Sequence, residues 1–473
     1  MYRHESMRGM LYVHSSVPLW GSYARRQRAC RTKMRAMHNK RTGRARLRKG
    51  LPESRHFMGK GISRMKLVII GNSAAAVGAI EGFRSLDPHS SITVISREPD
   101  FTYSRPLISY WLGGKCTESG MRYRAPDFYE KNAVTPRLGY TAAAIDARQH
   151  TVLLDGGECV GYDKLLVATG SRPFIPPLDG LEGVEKKFTF LSKADAQGLN
   201  EALTPQSRVL ILGAGLIGLK CAEGIAGRAA SVTVVDLAPQ ILNSILDAEG
   251  ASRVQTHLEK YGIHFILGDS AASVRGGEAH LSSGGRVAFD ILVIAVGVRP
   301  NTELLEAAGA KVNRGVVVDE NGATSLPDIY AAGDCAQSFD HLRQDHRVLA
   351  LLPNAYMQGE SAGIAIAGGQ KPFNQAMPMN SIGFFGLHMI TAGVMAGEML
   401  DESREGSYKK LFVKDGRLVG YILIGDVARA GIYTALIRER TDLSTLDFAL
   451  IAQRPQLMAF SRQVRQEKLG GFR

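Results

Sequence analysis

Cysteine is scarce in this sequence, and no two cysteines lie close together along the chain. The 473 residues include only Cys30, Cys116, Cys159, Cys221 and Cys335. This spacing contains no CxxC pair, no pattern of zinc ligands and no disulfide framework. It is typical of a protein from a reducing compartment, so we expect ordinary buried or surface cysteines, no metal site and a cytoplasmic location.

Long apolar runs are also missing. The longest candidate, residues 209–219, is far shorter than a bilayer crossing and is followed by Lys220. We therefore expect no membrane-spanning segment. At 473 residues and 45% hydrophobic composition, the chain is long enough for two or three domains.

Acidic residues are almost absent from the first 65 residues. This segment has 17 Lys and Arg against Glu5 and Glu53, whereas the rest of the chain has 41 basic and 43 acidic residues. Without a hydrophobic period, residues 1–64 are predicted to be a disordered extension. It is a nucleic-acid-binding arm, a transit peptide, or a segment upstream of a true start at Met65. We favour the start at Met65, which directly precedes a predicted strand, and do not expect nucleic acid as a partner.

The strongest motif is RVLILGAGLIGLKCAEGIAG, residues 208–227. It contains an intact G-x-G-x-x-G pattern at Gly213, Gly215 and Gly218, and the following SVTVVD segment ends at Asp236. In a β-α-β unit this arrangement places a pyrophosphate at the helix N-terminus and the acid on a ribose hydroxyl. Asp236 would repel a 2′-phosphate, and no Lys or Arg follows in LAPQIL. The motif predicts NAD rather than NADP.

A second, less regular unit begins with KLVIIGNSAAAVGAI, residues 66–80. Only Gly71 is retained from the glycine pattern, while Ser73 and Ala76 occupy the other two positions. The next predicted strand, SITVIS, is followed by Glu98. Taken alone, this segment is either a substituted nucleotide turn or a core strand that runs into an ordinary helix.

Three further segments decide between these alternatives. They are YDKLLVATGSRPFIPP (162–177), FDILVIAVGVRPNTEL (289–304) and TSLPDIYAAGDCA (324–336). In this order with the two turns, the chain from about residue 66 to residue 473 resembles the glutathione-reductase-like pyridine nucleotide oxidoreductases. These are flavoproteins with two dinucleotide-binding domains. The resemblance implies an α/β fold with two Rossmann-like domains and a small α+β C-terminal domain.

The resemblance also implies two cofactors, FAD on the first unit and NADH on the second. For FAD it implies contacts from Gly71, Ser73, Ala76, Glu98, Arg105, Thr169, Gly170, Gly333 and Asp334. For NADH it implies contacts from Gly213, Gly215, Gly218, Asp236 and Gly297. The implied domains are a discontinuous FAD domain (66–180 and 301–370), an NAD domain (181–300) and a C-terminal interface or acceptor domain (375–473).

The branch of the family follows from the cysteines and from two further segments. Neither cysteine pair of the disulfide reductases is present, and Gly113 stands where single-cysteine oxidases and peroxidases have their thiol, three residues before Cys116. The segments EPDFTYSRPLISYWLGG and YKKLFVKDGRLVGYILIGDVARAGIYTALI instead resemble NADH:rubredoxin reductases and the FAD part of assimilatory nitrite reductases. The Asp415-Gly416 pair in the second segment predicts a hairpin followed by a helix.

One pair of residues departs from the family pattern. Tyr110 and Lys220 occupy the positions at which relatives carry a lysine and a glutamate beside flavin N5. Lys220 is a candidate for a positive charge near the reduced flavin, and a surface helix lysine is the favoured alternative. We therefore assign no catalytic side chain with certainty.

The sequence predicts an oxidoreductase that passes electrons from NADH through FAD to a protein such as rubredoxin, a ferredoxin-like protein or a larger redox complex. A homodimer is expected. Two alternatives stay open: an NADH oxidase, peroxidase or disulfide reductase of the same family, and a flavoprotein whose basic tail binds nucleic acid.

Overall fold

The computed structural model describes residues 64–404 and 406–469. All but the last residue of the predicted basic extension, residues 1–64, lies outside the described residues. The described chain divides into two compact units, one of residues 64–414 and 419–426 and one of residues 415–418 and 427–469. Strands and helices are numbered along the chain.

The first sheet is parallel and contains both strands predicted around the first turn. Its order is β18 (Ile329–Ala331), β7 (Lys164–Val167), β1 (Lys66–Ile70), β2 (Ser91–Ser96) and β3 (Val134–Leu138). Four of the five residues of β1 are buried, as is usual for a parallel sheet covered on both faces. The pairing of β18 with β7 joins residues 329–331 to residues 165–167 in one sheet. The predicted boundaries of the FAD and NAD domains stay a prediction.

The second sheet is also parallel and contains the intact glycine motif. Its order is β12 (Ile263–Leu267), β11 (Ser231–Asp236), β10 (Arg208–Leu212), β16 (Ile291–Ile294) and β9 (Lys187–Phe188). Strand β11 has the bounds predicted from SVTVVD. The carboxyl ends of β10 and β11 therefore lie side by side, where a parallel sheet binds its ligand.

Smaller antiparallel elements flank these two sheets. One three-stranded sheet comprises β4 (Ala142–Asp146), β5 (Thr151–Leu154) and β6 (Cys159–Gly161), and another comprises β13 (Ala271–Arg275), β14 (Glu278–Leu281) and β15 (Arg286–Ala288). Two-stranded ribbons pair β8 (Ser171–Pro173) with β17 (Val298–Pro300) and β19 (Ser338–Asp340) with β20 (Asp345–Arg347).

The last sheet has the order β21 (Met379–Phe384), β22 (Leu387–Gly393), β25 (Arg417–Ile424), β24 (Ser407–Lys414) and β23 (Glu398–Arg404). Asp415 and Gly416 connect β24 to β25 with φ angles of 51° and 66°. Positive φ at both central residues is the signature of a tight hairpin turn. The predicted hairpin is confirmed, and a helix follows it at residue 430.

The described helices are mostly short. They are α1 (Ala74–Arg84), α2 (Ile108–Leu112), α3 (Phe128–Lys131), α4 (Lys193–Ala202), α5 (Leu216–Ile225), α6 (Ala248–Glu259), α7 (Glu303–Ala307), α8 (Leu352–Ile366), α9 (Ala430–Arg438), α10 (Phe448–Gln453) and α11 (Arg462–Leu469). In the part of the chain that the structure describes, no helix has the length and apolar character needed to cross a bilayer.

Helices α1 and α8 pack at backbone contact. A Cβ on Gly359 would lie 1.9 Å from the carbonyl oxygen of Ala75, and one on Gly363 would lie 2.2 Å from that of Ala79. From the other side, a Cβ on Gly78 would lie 2.2 Å from the carbonyl oxygen of Tyr356. Only glycine permits this approach. The packing fixes α8 against the helix that follows the first turn.

Candidate functional site

Each predicted nucleotide turn lies between a central strand and a helix. Gly71 follows β1 with a φ of +117°, and Gly213 follows β10 with a φ of +109°. A Cβ at Gly71 would lie 2.0 Å from the carbonyl oxygen of Ala168, and one at Gly213 would lie 2.4 Å from that of Ala295. Both conformation and space therefore require glycine at the start of each turn.

The helices that follow the two turns begin without side-chain caps. Neither α1 nor α5 has a side-chain hydrogen bond at its N-cap or an acidic residue in its first turn. Helix α4, by contrast, begins with a capping box formed by Ser192 and Asp195. The first-turn N–H groups of α1 and α5, together with the positive end of each helix dipole, are thus available to a phosphate.

The two turns differ at the third position of the pattern. A Cβ on Gly218 would lie 2.0 Å from the carbonyl oxygen of Gly213, so a side chain at this position of α5 would collide with the turn. At the equivalent place α1 carries Ala76, which is fully buried. Ser73 is the N-cap of α1 with extended backbone. The first turn accommodates both substitutions while retaining Gly71, where the positive φ requires it.

Asp236 lies at the carboxyl end of β11, beside the second turn. Its Oδ2 accepts a hydrogen bond of 2.6 Å from the Ala214 amide, and its Oδ1 accepts one of 2.8 Å from the Ala238 amide. The side chain is therefore held at the edge of the turn, with lone pairs left on both oxygens. This is the position from which a carboxylate can accept hydrogen bonds from a ribose.

Glu98 and Arg105, both predicted at the FAD site, form an ion pair. Arg105 Nη2 lies 2.5 Å from Glu98 Oε1, while Tyr103 Oη donates to Glu98 Oε2 at 2.6 Å. Arg105 also donates to the carbonyl oxygen of Leu191 at 3.0 Å. Tyr103 was not predicted as a site residue, although it lies in the EPDFTYSRP segment. The ion pair leaves lone pairs on Glu98 and N–H groups on Arg105 for a ligand.

Asp334 follows β18 and is close enough to this ion pair to interact electrostatically with Arg105. Its Oδ2 accepts a hydrogen bond of 3.0 Å from the Ser171 hydroxyl. Burial raises the pKa of Asp334, although the Ser171 hydrogen bond and the positive charge of Arg105 oppose this effect. The structure thus brings three predicted FAD residues, Glu98, Arg105 and Asp334, into one electrostatic neighbourhood.

The remaining predicted residues shape the backbone around Asp334 and the second turn. The Gly333 amide donates to Gln358 Oε1 at 2.9 Å, and the Thr169 hydroxyl donates to the Asn301 carbonyl oxygen at 2.9 Å. Positive φ angles occur at Gly170 (67°), Gly297 (128°) and Gly333 (84°). These glycines let the chain leave β7, β16 and β18 in tight turns.

The two arrangements fit a pair of dinucleotides. Each offers a glycine turn that a Cβ would obstruct, an uncapped helix N-terminus for a pyrophosphate, and a carboxylate at the end of the second strand for a ribose. The first adds a buried carboxylate, Asp334, that can accept further hydrogen bonds from a polyol chain. These features match FAD on the first sheet and NADH on the second.

The expectation that Lys220 lies on the surface of its helix is wrong. Its side chain is only 13% exposed and pairs with Glu223. Its Nζ also lies 4.3 Å from the centre of the Tyr110 ring and donates to the carbonyl oxygen of Gly383 at 3.1 Å. Lys220 and Tyr110 are therefore in contact. Such contact is required if both occupy the positions at which relatives carry a lysine and a glutamate beside flavin N5. Burial lowers the pKa of Lys220, and the charge of Glu223 opposes this effect.

Glu223 is the acid of this cluster and was not predicted. Its carboxylate is 5% exposed and also accepts hydrogen bonds from Lys115 Nζ at 3.1 Å and from the Phe385 amide at 3.0 Å. Burial opposes its ionisation, but Lys220, the Phe385 amide and Lys115 outweigh burial and lower its pKa. The only sequence signal was its i, i+3 spacing from Lys220.

The cysteines provide no thiol pair in the described residues, where all four are free. Cys116 is half-buried, its Sγ lies 3.8 Å from the carbonyl oxygen of Leu107, and burial raises its pKa. Cys221 and Cys335 are fully buried, and burial likewise raises the pKa of each thiol. The described residues also contain no group of three His, Cys, Asp or Glu side chains suited to a metal ion.

Comparison with known proteins gives two family matches. Residues 65–359 match the pyridine nucleotide-disulphide oxidoreductase family, and residues 378–441 match the rubredoxin NAD+ reductase C-terminal domain. The chain is 31% identical over 408 residues to the epsilon subunit of NADH-dependent phenylglyoxylate dehydrogenase from Aromatoleum evansii, covering 84% of this chain and 96% of the relative. It is 31% identical over 314 residues to the rubredoxin-NAD(+) reductase of Pseudomonas putida, covering 65% and 81%.

Solved structures show the same fold. The covalent complex of putidaredoxin reductase with putidaredoxin aligns with a TM-score of 0.76 at 22% identity, over 82% of this chain and 96% of the matched chain. The predicted fold class is thereby confirmed.

Proposed function

The chain belongs to the pyridine nucleotide-disulphide oxidoreductase family and is an FAD-dependent NADH oxidoreductase. On this premise, we propose that it delivers electrons from NADH, through FAD, to a small iron–sulfur protein of the rubredoxin or ferredoxin class. The match of residues 378–441 to a rubredoxin NAD+ reductase domain supports this acceptor class.

The protein's own residues act chiefly by binding and orientation. When bound, FAD supplies the chemistry that accepts a hydride and releases its electrons singly. Glu98 and Asp334 would hold hydroxyl groups of FAD, and Arg105 would offset phosphate charge. Gly213, Gly215 and the N-terminus of α5 would hold the NADH pyrophosphate, while Asp236 would hold its ribose. No side chain of the described site has to take up or release a proton for the transfer.

The electron balance fixes the stoichiometry. One NADH gives up a hydride and becomes NAD+. The hydride carries two electrons and one proton, and the proton is released when the two electrons have left the enzyme. A rubredoxin accepts one electron, so two acceptor proteins are reduced for each NADH. The protein must therefore release its acceptor between the two transfers, which favours a modest interface.

The single observation that carries the proposal is the state of the thiols. Cys116 is the half-buried cysteine that follows α2, and burial raises its pKa. A disulfide relay requires a second cysteine beside the first, and a reactive single thiol requires a lowered pKa, whereas the pKa of Cys116 is raised. All four cysteines in the described ranges are free. Without a disulfide, electrons would pass directly from the flavin to the acceptor.

We further propose that the protein is a cytoplasmic homodimer and that it does not bind nucleic acid. The C-terminal sheet, with its edge strands β21 and β23, offers a surface for self-association. Sedimentation velocity of the flavin-loaded protein tests the dimer, and a gel shift in low and high salt tests nucleic-acid binding.

The main alternative is an NADH oxidase, peroxidase or disulfide reductase, and a Cys116→Ser variant separates it from the proposal. We expect anaerobic NADH-dependent reduction of rubredoxin within about twofold of the unmodified protein, because no thiol takes part. Reduction of oxygen, hydrogen peroxide and a disulfide should be slower than reduction of rubredoxin. Loss of activity in Cys116→Ser, or a turnover number with peroxide above that with rubredoxin, would contradict the proposal.

A further inference from the structure

An open groove of about 840 Å³ lies on the β8–β17 ribbon and is lined by three arginines and by apolar side chains. We call it the arginine groove and define it by Arg172, Phe174, Ile175, Arg299 and Arg314. None of these residues is assigned to either nucleotide turn. The groove belongs to the larger of the two compact units.

Two of the arginines face each other across the ribbon. Arg172 of β8 and Arg299 of β17 are directly paired in the antiparallel register, and both are exposed. Like charges opposite each other destabilise a strand pair. A local arrangement that costs stability is expected mainly where function requires it. Arg172 also donates to Asn301 Oδ1 at 3.0 Å and to the Pro300 carbonyl oxygen at 3.3 Å, so Arg172 has structural partners within the ribbon. In the described part of the chain, the positive charge that lacks such polar partners is that of Arg299.

The groove keeps a net positive charge. Arg172 pairs with Glu303 at 2.5 Å, and the guanidinium of Arg299 lies 4.5 Å from the centre of the Phe174 ring. Within the described residues, neither Arg299 nor Arg314 has a carboxylate partner. Three arginines against one acid leave two positive charges, while residues 66–473 together carry 41 basic and 43 acidic residues. The positive charge is thus a local feature.

Apolar side chains form part of the lining of the groove. Ile175 is 53% exposed beside the half-buried Phe174. Arginine next to exposed apolar and aromatic side chains is typical of a protein interface, where arginine and aromatic residues are enriched and lysine is depleted. The groove suits a folded protein surface that carries carboxylates around an apolar contact.

The inner side of the same ribbon supports the predicted FAD site. Ser171, next to Arg172, donates its hydroxyl to Asp334 at 3.0 Å, and the Asn301 amide donates to the Gly170 carbonyl oxygen at 2.9 Å. Successive side chains of a strand point to opposite faces. Arg172 and Arg299 therefore lie on the outer face of the ribbon whose inner face carries the hydrogen bond to Asp334.

We propose that the arginine groove is the docking site for the acidic face of the single-electron iron–sulfur acceptor. This inference rests on the proposed function and adds the surface and the charge of the partner. Docking there would bring the acceptor to the outside of the ribbon that contacts Asp334. Electrostatic attraction would speed association and be screened by salt.

The test is a double charge reversal, Arg299→Glu with Arg314→Glu. The carboxylate introduced by Arg299→Glu would face Arg172, so the variant gains an opposite-charge pair and should fold with an unchanged or higher melting temperature. The matched control is Arg148→Glu with Arg286→Glu, which reverses two exposed arginines outside the groove and changes the net charge by the same amount. The probes are a rubredoxin of net negative charge and menadione, which is small and neutral.

The double variant should lower kcat/KM for rubredoxin at least tenfold at low ionic strength, flatten its salt dependence and leave menadione reduction within twofold. The control variant should leave the rubredoxin kcat/KM, its salt dependence and the rate of menadione reduction unchanged. Rubredoxin kcat/KM within twofold of the unmodified protein, or an equal loss with menadione, would overturn the groove as the docking site. If the unmodified protein reduces menadione but no iron–sulfur protein, the proposed function itself fails, and the docking site with it.

Discussion

The amide of Ala214, inside the second glycine turn, donates a 2.6 Å hydrogen bond to the carboxylate of Asp236. The turn that would hold a pyrophosphate and the acid that would hold a ribose are thus one connected unit. A 2′-phosphate brought to this edge would meet a carboxylate already fixed by two backbone amides. Repulsion between like charges, rather than loss of a hydrogen bond, should set the coenzyme preference.

We therefore predict a preference for NADH over NADPH of about 100-fold in kcat/KM, equal to about 2.7 kcal/mol. The Asp236→Ser, Ala238→Arg variant should reduce or reverse it, because a phosphate then meets a cation instead of an anion. Asp290→Ser, at the opposite end of the same sheet, is the control and should keep the ratio. Equal use of NADPH by the unmodified protein would show that Asp236 does not contact the ribose.

Removal of a predicted FAD-contacting carboxylate should weaken flavin retention. Hydrogen bonds to charged groups contribute about 1.5–3 kcal/mol each, so Glu98→Ala and Asp334→Ala should each raise the dissociation constant for FAD at least tenfold. Flavin fluorescence during titration of the apoprotein measures this constant. The exposed Asp155→Ala is the control, and FAD binding at unmodified strength in both variants would refute the assignment.

The buried carboxylate of Glu223 should contribute strongly to stability. It is held by Lys220, Lys115 and the Phe385 amide, and breaking such a buried cluster typically costs about 3–5 kcal/mol. Glu223→Gln should lower the free energy of unfolding by that order in urea titrations. The control Glu249→Gln removes an exposed pair with Arg253 and should cost less than about 1 kcal/mol.

The same carboxylate predicts a pH dependence. The folded-state pKa of Glu223 is lowered, so its stabilising contribution is complete above the unfolded value of about 4.3 and is lost as the pH falls through the folded value. The difference in stability between the unmodified protein and Glu223→Gln should therefore shrink below about pH 4. A difference that stays constant from pH 7 to pH 3 would mean that Glu223 does not act through its charge.

The α1–α8 contact offers a packing test. Gly359→Ala would place a Cβ 1.9 Å from the backbone oxygen of Ala75, and backbone cannot move aside cheaply. We expect a loss of at least about 1–3 kcal/mol in unfolding free energy. Gly156, whose added Cβ would meet open space, is the control and should tolerate alanine. Equal stability of the two variants would contradict the close packing of these helices.

Local signals predicted the elements around the site correctly. Strands β2 and β11 have the bounds that their apolar patterns indicated, β1 begins directly after Met65 as expected, and Asp415-Gly416 forms the predicted hairpin. Such features depend on neighbours in sequence. Gly71 was identifiable for the same reason, because a strand that turns directly into a helix needs a positive φ there.

Contacts between distant segments escaped sequence analysis. Lys220 was expected at the surface because it lies on a helix and no local pattern indicated burial. In the folded chain, Tyr110 and the Gly383 carbonyl oxygen cover it. Glu223 depends on Lys115 and Phe385, which lie 108 and 162 residues away. No periodicity within α5 encodes these partners, so the buried charge cluster became visible only in the folded chain.

The most direct test of the proposed electron path is an anaerobic titration of the FAD-loaded protein with NADH in the presence of excess rubredoxin, with thiols counted before and after. We predict two rubredoxins reduced for each NADH consumed and an unchanged thiol count, because each acceptor takes one electron and no disulfide takes part. A rise of two thiols per chain, or NADH consumption without rubredoxin reduction, would contradict transfer from FAD to an iron–sulfur protein.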